Sequence, residues 1–258
     1  MADDPSRLSN EQITEVLALL PGSNSVELKL TVPDADHRST IQALGMDPLE
    51  AQIRQVAFFD TPDLTLSANG LVVRIRRVQG KGGDTVVKLR PVVPDQLPGK
   101  VRKSPSFGIE VDAMPGGYVC SGSMKGSLDA ATARAGFAGE VPLRKLLSKE
   151  QRDLYERFAP AGVSLGSLSL LGPITLLKLP FTPEGFDRKL VAEMWLYPDG
   201  SRILELSTKC PPDDAFTVAA ASRAFLEGHG VNLSGDQATK TRTALEYFAG
   251  LLQAAGPG

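Results

Sequence analysis

The chain of 258 residues has few of the features that would assign a function at once. Its two cysteines, Cys120 and Cys210, are too few for a disulfide framework and are not spaced as metal ligands. There is no long apolar run and no charged-then-apolar leader, so neither membrane insertion nor export is expected. The net charge of −2 offers no general attraction for nucleic acid or a membrane surface. We therefore expect a cytoplasmic monomer or homodimer without a nucleic-acid or membrane partner.

The order of predicted helices and strands indicates a β-rich fold. Hydrophobic residues make up 42% of the chain, which is enough for a folded core. Strands are predicted at residues 25–31, 52–59, 71–78, 85–90, 107–113, 167–171, 174–179, 188–197 and 202–209. Helices are predicted at residues 10–20, 37–44, 128–136, 142–158, 216–227 and 237–252, and Pro115-Gly116-Gly117 is predicted to be flexible. A parallel α/β sheet needs a helix between every pair of strands, so this α+β pattern favours an antiparallel barrel with outer helices.

Apolar and ionisable residues alternate along these strands. In the strand at residues 71–78, Val73 and Ile75 point to one face, and Arg74 and Arg76 point to the other. The same alternation places several cations on the ionisable faces of the strands: Lys29, Arg74, Arg76, Lys88, Arg90 and Lys178. It also places several acids there: Glu27, Glu110, Asp112, Glu193 and Glu205. Several such strands predict a closed sheet with charge on its inner face.

A charged barrel interior needs a ligand, because buried charges are tolerated only when they are paired or bound. Arginine and lysine neutralise phosphate oxygens, and carboxylates hold hard divalent ions. The combination predicts a polyphosphate site with a divalent metal, Mg²⁺ or Mn²⁺. The alternative is an open antiparallel sheet whose charges are solvated and need no ligand. The apolar faces, which amphipathic helices can cover, favour the closed barrel.

Several segments, read in order, resemble the CYTH superfamily, the triphosphate tunnel metalloenzymes. They are Val26-Glu27-Leu28-Lys29, residues 58–62, residues 70–76, Lys88-Leu89-Arg90, Glu110-Val111-Asp112, Glu193 with Trp195, residues 198–200, residues 203–207 and residues 239–243. The resemblance implies an eight-stranded antiparallel tunnel that binds a triphosphate with a divalent metal. The corresponding domain covers residues 25–250, after an N-terminal helical extension at residues 1–24.

The resemblance also implies roles for individual residues. Phosphates would be bound by Lys29, Arg74, Arg76, Lys88, Arg90, Lys178 and Lys240. The metal would be bound by Glu27, Glu110, Asp112, Glu193 and Glu205. Catalysis would depend on Glu27, Lys88 and Glu205, through in-line attack of metal-oriented water on the terminal phosphorus of triphosphate or a related short polyphosphate.

The chain departs from the family pattern at two acidic positions. The family signature E-x-E-x-K begins here with Ser25, and Ser207 follows Glu205 where a second acid is common. The smaller acidic set leaves open one metal instead of two, a changed substrate, or binding without turnover. A class IV-type adenylate cyclase is a further alternative. Phe58 and Phe59 stand where a tyrosine is common, which disfavours a site that pairs a phenol with Lys88.

Overall fold

A computed structural model describes residues 8–235, 237 and 240–255. The strands are β1 (Ser25–Val32), β2 (Gln52–Asp60), β3 (Leu71–Val78), β4 (Gly83–Leu89), β5 (Phe107–Met114), β6 (Gly117–Leu128), β7 (Ser169–Phe181), β8 (Leu190–Leu196) and β9 (Arg202–Cys210). The helices are α1 (Asn10–Leu19), α2 (His37–Ala43), α3 (Thr65–Ala68), α4 (Gly99–Arg102), α5 (Ala130–Phe137), α6 (Leu143–Leu146), α7 (Lys149–Phe158), α8 (Ala215–Gly228) and α9 (Lys240–Ala255).

These strands form one closed barrel in the order β1-β5-β6-β4-β3-β2-β7-β8-β9, and β9 pairs with β1. The barrel has nine strands and is mixed, so the prediction of eight antiparallel strands is wrong in number and in one pairing. That pairing is β1 with β5, which run parallel from Ser25 opposite Glu110 to Leu28 opposite Ala113. A tight hairpin forces its two strands to be antiparallel, whereas β1 and β5 are separated in the chain by three other strands.

The additional strand is β6, which lies where the sequence predicts a flexible segment and the start of a helix. Its sequence is rich in glycine and serine, which are typical of turns. Two of its glycines are required by close packing. A Cβ at Gly122 would lie 2.4 Å from the Phe107 ring, and a Cβ at Gly126 would lie 2.5 Å from Oε1 of Gln151. In β6, glycine therefore allows the close approach of neighbouring side chains and does not mark a turn.

The two strands predicted at residues 167–171 and 174–179 are one strand, β7. Its pairing with β2 shifts register between Val56 and Phe58, opposite Gly172-Pro173. A break in the apolar pattern thus marks an irregularity within one strand. The other predicted strands agree with the structure to within a few residues.

Helices cover the outer face of the barrel, as predicted. Val73 and Ile75 of β3 are buried, and α5 packs against this strand. The fully buried Gln151 of α7 joins two strands, because its amide nitrogen donates to the carbonyl oxygens of Thr85 and Met124 at 3.0 and 3.1 Å. Burying an amide requires that its polar atoms be hydrogen-bonded, and here the requirement fixes α7 in place.

Helix α1 lies at the start of the described part of the chain, and Ser9 caps its N-terminus. Ser9 accepts a hydrogen bond from the Gln12 amide at 3.2 Å, and the Gln12 side chain accepts one from the Ser9 amide at 2.8 Å. Val16 of α1 belongs to the same buried cluster as Val26 of the barrel. The first seven residues of the predicted extension lie outside the described residues, and the division at residue 25 stays a prediction.

Helix α9 lies across one end of the barrel rather than on its outside. Leu245 and Phe248 share a buried cluster with Phe58 and Trp195, whose side chains face the barrel interior. The predicted helix starts at residue 237, whereas α9 starts at Lys240, and residues 238–239 lie outside the described residues. In the described part of the chain, no helix has the length and apolar character needed to cross a membrane.

Candidate functional site

The barrel encloses a cavity of about 510 Å³, named here the charged cavity. Among the described residues, ten lysine and arginine side chains line it: Lys29, Arg54, Arg74, Arg76, Lys88, Arg90, Lys125, Lys178, Lys209 and Lys240. Five carboxylates line it: Glu27, Asp84, Glu110, Glu193 and Glu205. The cavity therefore has an excess of positive charge in a chain whose net charge is −2. Low-dielectric walls that carry one sign of charge concentrate ions of the opposite sign.

Eleven of the twelve predicted site residues line the charged cavity. The twelfth, Asp112, has no exposed side-chain surface, and it contacts two lysines that do line the cavity. Its Oδ1 lies 2.9 Å from Nζ of Lys29, and its Oδ2 lies 3.4 Å from Nζ of Lys88. The structure thus brings all twelve residues together, while their roles stay predictions.

Three of the acids form a cluster near the pairing of β1 with β5. One carboxylate oxygen from each of Glu27, Glu110 and Asp112 lies within 4.8 Å of the others. Lysine neighbours neutralise them, with Lys29 Nζ 3.1 Å from Glu27 and an ion pair between Lys209 and Glu110. The hydroxyl of Ser25 donates to Glu110 at 3.1 Å, so this serine supports an acid of the cluster.

Ion pairing keeps Asp112 and Lys29 charged in spite of their burial. Burial raises the pKa of Asp112, but Lys29 and Lys88 outweigh it and hold the pKa of this carboxyl at about 2. Burial lowers the pKa of Lys29, but Asp112 and Glu27 outweigh it and raise the pKa of this ammonium above its ordinary value. For Lys88, burial prevails over Asp112 and lowers the pKa. Asp112 and Lys29 are therefore a firmly ionised pair at neutral pH.

The other two predicted metal ligands form a separate pair on β8 and β9. Glu193 and Glu205 lie directly opposite each other. Nζ of Lys240 lies 2.7 Å from Glu205 and also contacts Glu193, whereas Nζ of Lys178 lies 2.9 Å from Glu193. Burial raises the pKa of Glu193, but Lys240 and Lys178 outweigh it and hold this pKa well below its ordinary value. The five acids are thus divided between two places in the cavity.

The arginines of β3 form a third group with an acid that the sequence analysis missed. Asp84 accepts from Nη2 of Arg74 at 3.2 Å and from Nε of Arg76 at 2.7 Å. Among the described residues, the buried Nε of Arg74 has no hydrogen-bond partner. One carboxylate shared by two guanidinium groups leaves donors available for an anion in the cavity.

Three cations of the charged cavity were also missed. Arg54 lies on the same face of β2 as Val56, and Lys209 lies on the same face of β9 as Glu205, so the side-chain period of two could have found both. Lys125 lies on β6, which the sequence analysis does not predict as a strand. The failure to predict this strand explains the error.

The acidic cluster fits a hard divalent ion. Mg²⁺ and Mn²⁺ prefer carboxylate oxygens, and Mg²⁺ is bound by one or two carboxylates together with substrate phosphates. Glu27, Glu110 and Asp112 offer converging oxygens beside a cationic surface. The donor set is therefore compatible with a metal that also contacts a bound phosphate.

No protein-family model matches the chain, and no curated protein matches it. Several solved structures do match the chain. HpAC1 from Hippeastrum, a candidate adenylyl cyclase with a dominant triphosphatase activity, has 18% sequence identity to this chain and a TM-score of 0.63. The match covers 86% of this chain and 95% of HpAC1. A candidate adenylate cyclase from Bacillus halodurans has 14% sequence identity to this chain and a TM-score of 0.59. The match covers 85% of this chain and 97% of the Bacillus protein.

These likenesses show the fold. The chain forms a closed barrel and shares its overall fold with these two proteins. The closed barrel that the sequence analysis expects is thereby confirmed.

Proposed function

We propose that the charged cavity binds a triphosphate or a related short polyphosphate, inorganic or organic, and that the protein hydrolyses it with a divalent metal ion. The observation that supports this function best is the excess of lysine and arginine over carboxylate in an enclosed cavity of a weakly acidic chain. Cations held close together in a low-dielectric cavity repel one another, so a polyanion that neutralises them gains affinity. The dominant triphosphatase activity of HpAC1 agrees with this proposal.

Phosphate binding is assigned to the cationic side chains on the cavity wall. Arg74 and Arg76 offer planar guanidinium forks, which match phosphate oxygens in a bidentate manner. Lys88 and Arg90 continue this surface along and beyond β4, and Lys178 lies on β7. As charge develops on the leaving oxygen, these fixed cations stabilise it without the reorganisation that water would need.

The metal is assigned to Glu27, Glu110 and Asp112. A bound divalent ion would supply positive charge to the phosphates and lower the pKa of a bound water. Glu27 and Glu110 line the cavity, whereas Asp112 lies behind it and orients Lys29 and Lys88. Lys209 neutralises Glu110 in the structure, and it would become available to phosphate oxygens when a metal takes over that role.

Adenylate cyclase is the second candidate, because both solved structures carry that assignment. One part of the cavity wall is apolar and is formed by Val56, Phe58, Leu176 and Trp195. This wall offers contact area for the organic part of a nucleotide, which inorganic triphosphate lacks. Hydrolysis stays the first choice because HpAC1 is described as predominantly a triphosphatase.

A substrate panel tests the proposal. Tripolyphosphate, longer polyphosphate, ATP and thiamine triphosphate are each incubated with the protein and with Mg²⁺, Mn²⁺ or a chelator. We expect tripolyphosphate to raise the melting temperature and to release phosphate only in the presence of metal. Binding without phosphate release indicates a non-catalytic binder, and a cyclic product from ATP indicates the cyclase. If no triphosphate binds, the proposal is wrong.

A further inference from the structure

Two facing acids of the barrel, Glu193 and Glu205, share a single ammonium group. They lie opposite each other on β8 and β9, and both are largely buried. Like charges at directly opposed positions of a sheet destabilise it unless a cation lies between them. Lys240 supplies that cation, with Nζ 2.7 Å from Oε1 of Glu205 and in contact with Oε2 of Glu193. An ammonium therefore bridges two carboxylates, as a divalent ion often does.

This ammonium is held from several sides. Its Nζ lies 5.4 Å from the centre of the Trp195 ring, which places the positive charge over an aromatic face. The hydroxyl of Tyr197 donates to the carbonyl oxygen of Lys240 at 3.2 Å. Leu245 and Phe248, further along α9, pack into the barrel end. Lys240 is thus positioned by a packed helix, unlike a lysine on a free surface.

The charges around this pair already balance. Lys178 neutralises Oε1 of Glu193 at 2.9 Å, so two carboxylates face two ammonium groups. A divalent ion entering between the carboxylates would have to displace the ammonium of Lys240, which contacts both of them, and leave its charge unpaired. Displacing a buried partner in this way is costly.

The other acidic cluster differs in two respects. It has a third carboxylate, since Glu27, Glu110 and Asp112 all converge. The lysine that contacts Glu110 is Lys209, whose side chain is 55% exposed and can move into solvent at little cost. A metal ion can therefore displace Lys209 from Glu110 more easily than it can displace Lys240 from Glu205, while Lys29 stays beside Glu27 and Asp112.

We propose that Lys240 occupies the position that a second divalent ion would take between Glu193 and Glu205, so that the protein works with one divalent ion and one built-in ammonium. The single ion at Glu27, Glu110 and Asp112 is taken from the function proposed above. Ser25 and Ser207 agree with this assignment, because neither adds a carboxylate from which a second complete metal site could be built. For Glu193 and Glu205, the geometry thus points to a positioning role, in which they hold Lys240 towards the cavity.

The test counts Mn²⁺ ions bound by the intact protein, by calorimetric titration and by the electron paramagnetic resonance signal of free Mn²⁺. We expect one ion for the natural chain and two for Lys240→Met, because removal of the ammonium leaves Glu193 and Glu205 free to bind metal. Lys209→Met is the matched control, since it also removes a lysine beside an acid, and its count should stay at one. An unchanged count in a folded Lys240→Met variant overturns the proposal.

Glu205→Gln provides a second measurement that does not depend on the folding of the lysine variant. The natural chain and Glu205→Gln should bind the same number of Mn²⁺ ions, because Glu205 holds a lysine. Loss of one ion in Glu205→Gln overturns the proposal. If the natural chain binds no Mn²⁺, the metal site of the proposed function is wrong. The proposal for Lys240 is still tested in that case, because Lys240→Met should bind one ion more than the natural chain.

Discussion

The carboxylate of Asp112 is fully buried and lies 2.9 Å from the ammonium of Lys29. The two residues come from β5 and β1, the two parallel strands of the barrel. A second lysine, Lys88 of β4, lies 3.4 Å from the other oxygen of the same carboxylate. One acid therefore connects three strands and holds two cations at the wall of the charged cavity. Its contribution to stability and its titration can both be measured.

Replacing Asp112 with asparagine should destabilise the fold strongly. The amide keeps the shape of the side chain but removes the carboxylate that Lys88 contacts and leaves Lys29 with Glu27, which costs about 3 to 5 kcal/mol. Urea unfolding of Asp112→Asn against the natural chain measures this loss. The control is Asp95→Asn, because Asp95 pairs with Arg102 on the exposed surface and its removal should change little. Equal effects of the two substitutions would contradict the structural role of Asp112.

Acid should remove part of the same stabilisation. The pKa of Asp112 is about 2 in the folded state against an ordinary value of 3.8. Because the folded-state pKa is depressed, the stabilisation is complete above about pH 4 and is lost as the pH falls towards 2. The difference corresponds to about 2 kcal/mol. Urea unfolding at a series of pH values should show a steeper decline below pH 4 for the natural chain than for Asp112→Asn. Parallel curves for the two proteins would exclude this assignment.

Lys88→Met should weaken tripolyphosphate binding without unfolding the protein. Lys88 lines the charged cavity, and a hydrogen bond to a charged group contributes about 1.5 to 3 kcal/mol, which is roughly a tenfold to hundredfold change in the dissociation constant. Trp195, the single tryptophan, also lines the cavity, so its fluorescence can follow the titration. The control is Lys145→Met, because Lys145 is exposed on α6 and lies outside the cavity. This variant should bind tripolyphosphate as tightly as the natural chain does. If Lys88→Met binds equally well, the phosphate assignment fails at this residue.

Leu245→Ala should loosen the closed end of the barrel. Leu245 is 2% exposed and packs in the cluster that contains Phe58 and Trp195, so its truncation should cost about 2 to 5 kcal/mol. Leu251→Ala, at a position of the same helix that is 50% exposed, should have a much smaller effect. Urea unfolding compares the two variants, and a red shift of the Trp195 emission in Leu245→Ala reports the added contact with water. Similar losses in both variants would show that α9 does not pack here.

Much of the barrel wall could be predicted from the sequence. The alternation of Val73 and Ile75 with Arg74 and Arg76 is local information, because side chains along any strand point to opposite faces. The structure buries the first two and places the second two in the cavity. The closed barrel and its covering helices were predicted correctly for this reason.

The errors occur where distant parts of the chain determine local structure. Gly122 and Gly126 resemble turn residues in the sequence, and their place in β6 depends on the Phe107 ring and on Gln151 of α7. The parallel pairing of β1 with β5 has no local signal either, because a long connection leaves both orientations open.

The sequence by itself determined which side chains face inward, since a period of two residues is a property of the strand alone. Only the tertiary structure decided which charges meet. Barrel closure and strand register place Asp112 between Lys29 and Lys88, and they bring Lys240 of the last helix to Glu193 and Glu205. Electrostatic energy falls with distance and depends on burial, so these pairings arise only when the barrel closes and water is excluded.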